Sequence, residues 1–124
     1  MHCVHSIEKF EAGNGHKAVI LKLGGNLDDS VEPVLRLEFD KTLIKARKAG
    51  VILDLAMVTK LCSAAIGRIY SFGRYLMNDH IPFVIVVPED EKVSKKLVKY
   101  TNNFDLAPDI EVARAMLGID EVED

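Results

Sequence analysis

A chain of 124 residues encloses one hydrophobic core and is too short for two. Its composition, 48% hydrophobic and 28% charged, is that of a globular domain and excludes a disordered or fibrous chain. Asp and Glu number 19 against 16 Lys and Arg, a net charge of -3, so no basic excess offers itself to a phosphate backbone and no direct nucleic-acid partner is expected.

Val4 to Phe10 alternate loosely and predict a strand, and Ala12-Gly13-Asn14-Gly15 predicts a turn because Gly and Asn tolerate positive φ. Lys17 to Leu23 predicts the second strand of a hairpin, which Gly24-Gly25 is expected to end. Asp28, Asp29 or Ser30 can cap the helix that follows. In that helix Val31, Leu35, Phe39, Thr42-Leu43 and Ala46 share one face. Pro33 falls in its first turn, and Gly50 is expected to stop it after the cationic turn Lys45, Arg47 and Lys48. Val51-Ile52-Leu53-Asp54-Leu55 is a nearly unbroken apolar run, as in a strand buried on both faces.

A second helix is predicted from about Ser63 to Asn78. Ile66, Ile69, Tyr70, Gly73, Leu76 and Met77 lie on one face of it, with Arg68, Phe72 and Tyr75 on another. Pro82 to Val87 predicts a further strand. Glu91 to Tyr100 predicts an amphipathic helix with Val93, Leu97 and Tyr100 inward and Lys92, Lys95, Lys96 and Lys99 outward. A weak strand over Leu106 to Ile110 and a short helix from Glu111 to Leu117 complete a domain over residues 1–118, followed by an acidic tail at 119–124. Buried strands alternating with amphipathic helices imply an α/β fold. The expected architecture is a mixed, mostly parallel sheet of four to five strands with about four helices and an N-terminal β-hairpin.

No apolar run approaches the ~20 residues that cross a bilayer, so no membrane partner is expected. The N-terminal residues His2, Glu8 and Lys9 do not resemble a secretory signal, and Cys3 and Cys62 are too few for a disulfide framework. A cytoplasmic protein is the expectation. His2, Cys3 and His5 are metal-ligand types, but no second cluster completes a set of four and no metal is expected. Asp28 and Asp54 have no paired His or nucleophile, and no phosphate-loop or dinucleotide motif is present. The chain therefore reads as a binding protein and not as an enzyme, without a cofactor.

Three stretches carry a likeness. They are Leu23-Gly24-Gly25-Asn26-Leu27-Asp28, the run Val51 to Leu55, and Val58-Thr59-Lys60-Leu61-Cys62-Ser63-Ala64-Ala65-Ile66-Gly67. In order and spacing they resemble the "L-x-G-x-L-D", "v-v-l-D-l" and "v-x-f-x-D-S-x-G-l-g" segments of the STAS domain family, in its anti-sigma factor antagonist type. The third stretch is expected to be a loop leading into a helix. The resemblance spans nearly the whole chain and implies the family's role in bacterial transcription control by partner switching. In it, an anti-sigma factor that is also a serine kinase binds the unphosphorylated antagonist and is released on phosphorylation.

The phosphorylated Ser of that pattern falls on Ser63. Cys62 stands where the family has Asp, and Ala65 where it has Gly. The resemblance implies a docking surface over Thr59, Cys62, Ser63, Ala64, Gly67 and Arg68, to which Phe72 and Tyr75 add aromatic anchors of the kind found at interfaces. Cys62 also reads as a reactive thiol at a helix N-terminus or as a small apolar residue. Ser63 also reads as a plain helix N-cap. Two alternatives stand beside the switch: a non-phosphorylated scaffold or homodimerisation module of the same fold, and a small ligand-binding protein.

Overall fold

The computed structural model describes residues 3–11, 17–28, 33, 35–37, 39–41 and 50–117. The predicted turn at 12–15, the caps Asp29 and Ser30, the last turns of the first helix and the tail at 119–124 lie outside them. In chain order the elements are β1 (Cys3–Glu11), β2 (Lys17–Leu27), helical residues at 33, 35–37 and 39–41 (α1), β3 (Val51–Leu61) and α2 (Ser63–Asn78). β4 (Phe83–Val86), α3 (Glu91–Thr101), β5 (Asp105–Ala107) and α4 (Ile110–Met116) follow.

The five strands form one sheet in the order β1-β2-β3-β4-β5. β1 pairs antiparallel with β2, and every later pairing is parallel. The α/β architecture with a mostly parallel sheet is the one expected. Alternation along β2, β3 and β4 sorts the side chains onto two faces. Val19, Leu21, Leu23, Val51, Leu53, Leu55, Phe83 and Ile85 face α1, α2 and α3 and join one buried cluster with Leu35, Phe39, Ile69, Phe72, Leu76 and Leu97. Ile20, Ile52, Val84, Val86 and Ala107 face the other way, against Ala113, Ile110 and Leu117 of α4 and its end. Each large apolar side chain buried here contributes about 1.5–3 kcal/mol relative to exposure.

Two strands run further than periodicity suggests, and the extension positions the site. Gly24 and Gly25, expected to end β2, lie inside it. The β2–β3 register shifts on either side of them, and Gly25 adopts φ 82°, a conformation that costs glycine little. β3 continues past Leu55 to Leu61, over a stretch expected to be loop, because Gly25, Asn26 and Leu27 go on pairing with Val58, Lys60 and Leu61. β4 stops pairing at Asp54, so the backbone beyond needs other partners. The Asp54 carboxylate accepts the Ala56 N–H at 3.0 Å, and the Ala56 carbonyl accepts the Glu89 N–H at 3.0 Å. Asp54 is thus a structural acceptor within β3.

Gly50, expected to stop the first helix, has φ 116° and opens β3. At the far end of α2, His80 takes φ 60°, and the Ile81 N–H returns to the Leu76 carbonyl at 2.9 Å. His80 thereby fills a left-handed position that glycine usually occupies after a helix.

Candidate docking surface

α2 begins where the extended β3 ends. The Cys62 N–H donates to the Leu27 carbonyl at 3.0 Å, which holds the end of β3 against the end of β2. Cys62 is in extended conformation, φ -84° and ψ 166°, and its Sγ accepts the Ala65 N–H at 3.4 Å. Cys62 is therefore the N-cap, and Ser63 is the first residue of the helix. The plain-cap reading of Ser63 does not hold: the cap position is filled by the residue before it, and Ser63 is exposed.

Around that start the predicted residues separate. Thr59, Ser63, Ala64, Gly67 and Tyr75 are exposed, and Cys62 and Arg68 are half-buried. Phe72 is not at the surface. It is 4% exposed, stacks on Phe39 with ring centroids 4.2 Å apart and planes 9° apart, and meets Phe83 edge-on at 5.5 Å. Helical spacing puts Phe72 on the face of Arg68 and Tyr75, but helical residues on the margin of a face turn inward when a second helix covers them. Here α1 supplies Phe39. Tyr75 borders a small hollow of about 140 Å³ with Arg36, Phe39, Asp40, Arg68 and Ser71.

Met77, expected inward, is exposed. Tyr100 is likewise outside the core, 52% exposed, although α3 was expected to bury it. The inward stripe of α3 is Val93, Leu97 and Thr101, at a strict spacing of four. Thr101 is wholly buried because its hydroxyl donates to the Leu97 carbonyl at 2.8 Å. A polar residue at the end of an apolar stripe hid that register in the sequence.

Two concavities lie at the start of α2, one lined by Ser63 and the other by its neighbour Cys62. One is a largely apolar groove of about 390 Å³ lined by Ser63, Ile66, Gly67, Tyr70 and Tyr100. The other, about 580 Å³, lies at the ends of β2 and β3. Asn26, Asp28, Thr59, Lys60, Leu61 and Cys62 line it from the sheet, and Asp90, Lys92, Val93 and Lys96 from α3. α3 starts there on its own cap, Asp90, whose carboxylate accepts the Val93 N–H at 3.1 Å. Nearly two turns on, the Lys96 ammonium donates to the Leu61 carbonyl at 2.8 Å. Tyr70 is held by the Arg74 guanidinium, which bonds its hydroxyl at 3.2 Å and stands 5.9 Å from its ring centroid. The groove's two tyrosines and the lysine tie were not singled out from sequence. The Lys-rich face of α3 was the available signal.

Neither protein-family models nor curated proteins match the chain by sequence. Solved structures do match by shape. An anti-sigma factor antagonist from Mycobacterium paratuberculosis superposes with a TM-score of 0.77 over 93% of both chains at 14% identity. SpoIIAA, an anti-sigma factor antagonist in its unphosphorylated form, gives 0.69 at 15% identity, covering 95% of this chain and all of that one. A serine-to-glutamate variant of RsbS from Moorella thermoacetica gives 0.68 at 13% identity, over 90% of this chain and 93% of that one. The fold is that of the anti-sigma factor antagonists.

Within this antagonist fold the two departures from the family pattern differ in kind. Ala65 is 1% exposed and belongs to the core cluster, so its methyl points inward and leaves the outer surface unchanged. Cys62 keeps the capping role that an Asp would fill at that place, with a weaker, uncharged acceptor. Among the described residues no three His, Cys, Asp or Glu side chains gather to hold a metal, and no helix is long and apolar enough to cross a membrane.

Proposed function

We propose that the protein is an anti-sigma factor antagonist-like regulator of a bacterial cytosol, acting through protein binding and without catalysis of its own. It docks an anti-sigma factor with serine kinase activity on the surface from Thr59 to Arg68, and phosphorylation of Ser63 releases that partner. The observation that carries the reading is the exposed Ser63 at the first position of α2, its hydroxyl not needed as the cap.

The chemistry is phosphoryl transfer from a nucleoside triphosphate held by the partner. The Ser63 Oγ–P bond forms, the bond to the departing nucleoside diphosphate breaks, and the hydroxyl proton passes to a base of the partner. The product carries about -1.5 to -2 charge at a helix N-terminus, where the unpaired N–H groups and the positive end of the dipole tolerate it. The domain stays folded while the surface changes sign locally, which repels an acidic partner patch and desolvates badly against an apolar one.

The uncharged cap Cys62 favours one other reading, a scaffold or dimerisation module of this fold that docks but is not switched. Incubating the purified protein with native cytosol and a nucleoside triphosphate, then mapping modified peptides by mass spectrometry, separates the two. Phosphate on Ser63 is the expected result, and an unmodified Ser63 contradicts the switch.

A further inference from the structure

The Lys96 tie has a consequence for a phosphate on Ser63. The Lys96 ammonium is fixed at the Leu61 carbonyl, two residues before Ser63 in the chain. On the same side of α3, one turn later, Tyr100 lines the groove that Ser63 also lines. Ser63 therefore stands beside the stretch of α3 that runs from Lys96 to Tyr100. The charged groups lining the cleft around Lys96 are Asp28 at the end of β2, Lys60 on β3, and Asp90 and Lys92 at the start of α3. Lys96 is exposed, and its bond to a neutral carbonyl is a weaker one than it makes with an anion.

We propose that Lys96 is the phosphate-holding residue of this surface: when Ser63 is phosphorylated, the Lys96 ammonium leaves the Leu61 carbonyl and pairs with the phosphate. The inference rests on Ser63 being the modified residue. It assigns to α3 the task of recognising the modified state, and it makes the tie between α3 and the end of β3 specific to the unmodified one.

Phosphoserine incorporated at position 63 during translation supplies the modified protein without any kinase or partner. A ³¹P NMR titration then reads the second ionisation of the phosphate. A nearby ammonium favours the dianion, so Lys96→Gln raises that pKa by about 0.2–0.7 units. Lys96→Arg keeps it at the wild-type position, and Lys95→Gln, outside both concavities, leaves it unmoved. Equal pKa values in the wild type and Lys96→Gln, with both proteins folded, overturn the proposal. Should Lys96→Gln fail to fold, the wild-type phosphoprotein decides: a Lys96 Nζ resonance unchanged by phosphorylation overturns it equally. Because no partner enters the titration, a negative result here leaves the docking reading intact, and a partner insensitive to phosphorylation leaves this result intact.

Discussion

The Sγ of Cys62 accepts the backbone N–H of Ala65 at 3.4 Å, so a thiol caps the helix that presents Ser63. Sulfur is a weak acceptor, and a carboxylate at the same place adds a charge-assisted bond and a favourable interaction with the helix dipole. Cys62→Asp is expected to stabilise the domain by about 0.5–1 kcal/mol, read as a raised midpoint in urea unfolding with an unchanged slope. A lowered midpoint contradicts the capping assignment.

Sequence alone groups Phe72 and Tyr75 as surface anchors, and the structure separates them. Phe72→Ala removes a ring packed on Phe39 and Phe83 and is expected to cost about 3–5 kcal/mol. Tyr75→Ala, 55% exposed, is expected to fall within about 0.5 kcal/mol of wild type. Thermal unfolding of the two variants side by side checks the assignment, and similar midpoints contradict it.

Two glycines of α2 predict opposite outcomes for the same substitution. A Cβ at Gly67 meets no atom within 4 Å, so Gly67→Ala gains helix propensity and stabilises by about 0.5–1 kcal/mol. A Cβ at Gly73 falls 2.7 Å from the Phe104 ring and 2.9 Å from Phe83, so Gly73→Ala is expected to cost about 1–3 kcal/mol. Chemical denaturation of both variants measures the sign. Because Gly67 floors the groove beside Ser63, a stabilised Gly67→Ala that binds its partner less well also locates the contact.

His80 adopts φ 60° after α2, where a side chain is strained. His80→Gly is expected to stabilise by about 0.5–1 kcal/mol, seen as an increase in the unfolding midpoint.

Much of this architecture is written in local pattern. Alternation and turn residues bring out β1, the start of β2, β4 and the heart of β3, and α2 begins and ends where its periodicity does. The less legible features depend on pairing between distant segments. β3 reaches Leu61 only because Asn26 and Leu27 lie alongside it, and the Gly24-Gly25 pair reads as a stop until β3 is there to accept a bulge. The site divides in the same way. An exposed Ser63 at a helix start follows from sequence order, and the capping role of Cys62 follows from a sulfur's distance. The burial of Phe72 depends on a ring 33 positions earlier, the placement of Tyr100 on a buried Thr101, and the Lys96 tie on a carbonyl of another element. Periodicity reports which face of an element is apolar, and the neighbour that covers the margin decides the rest.

Affinity capture from native cytosol, quantified by mass spectrometry, with wild type, Ser63→Ala and Ser63→Asp as bait, decides whether charge at Ser63 controls docking. A protein with a serine kinase domain is expected to be retained by wild type and Ser63→Ala and to be depleted at least about tenfold with Ser63→Asp. Equal retention of the same proteins by all three baits contradicts it and leaves a scaffold that the charge on Ser63 does not control.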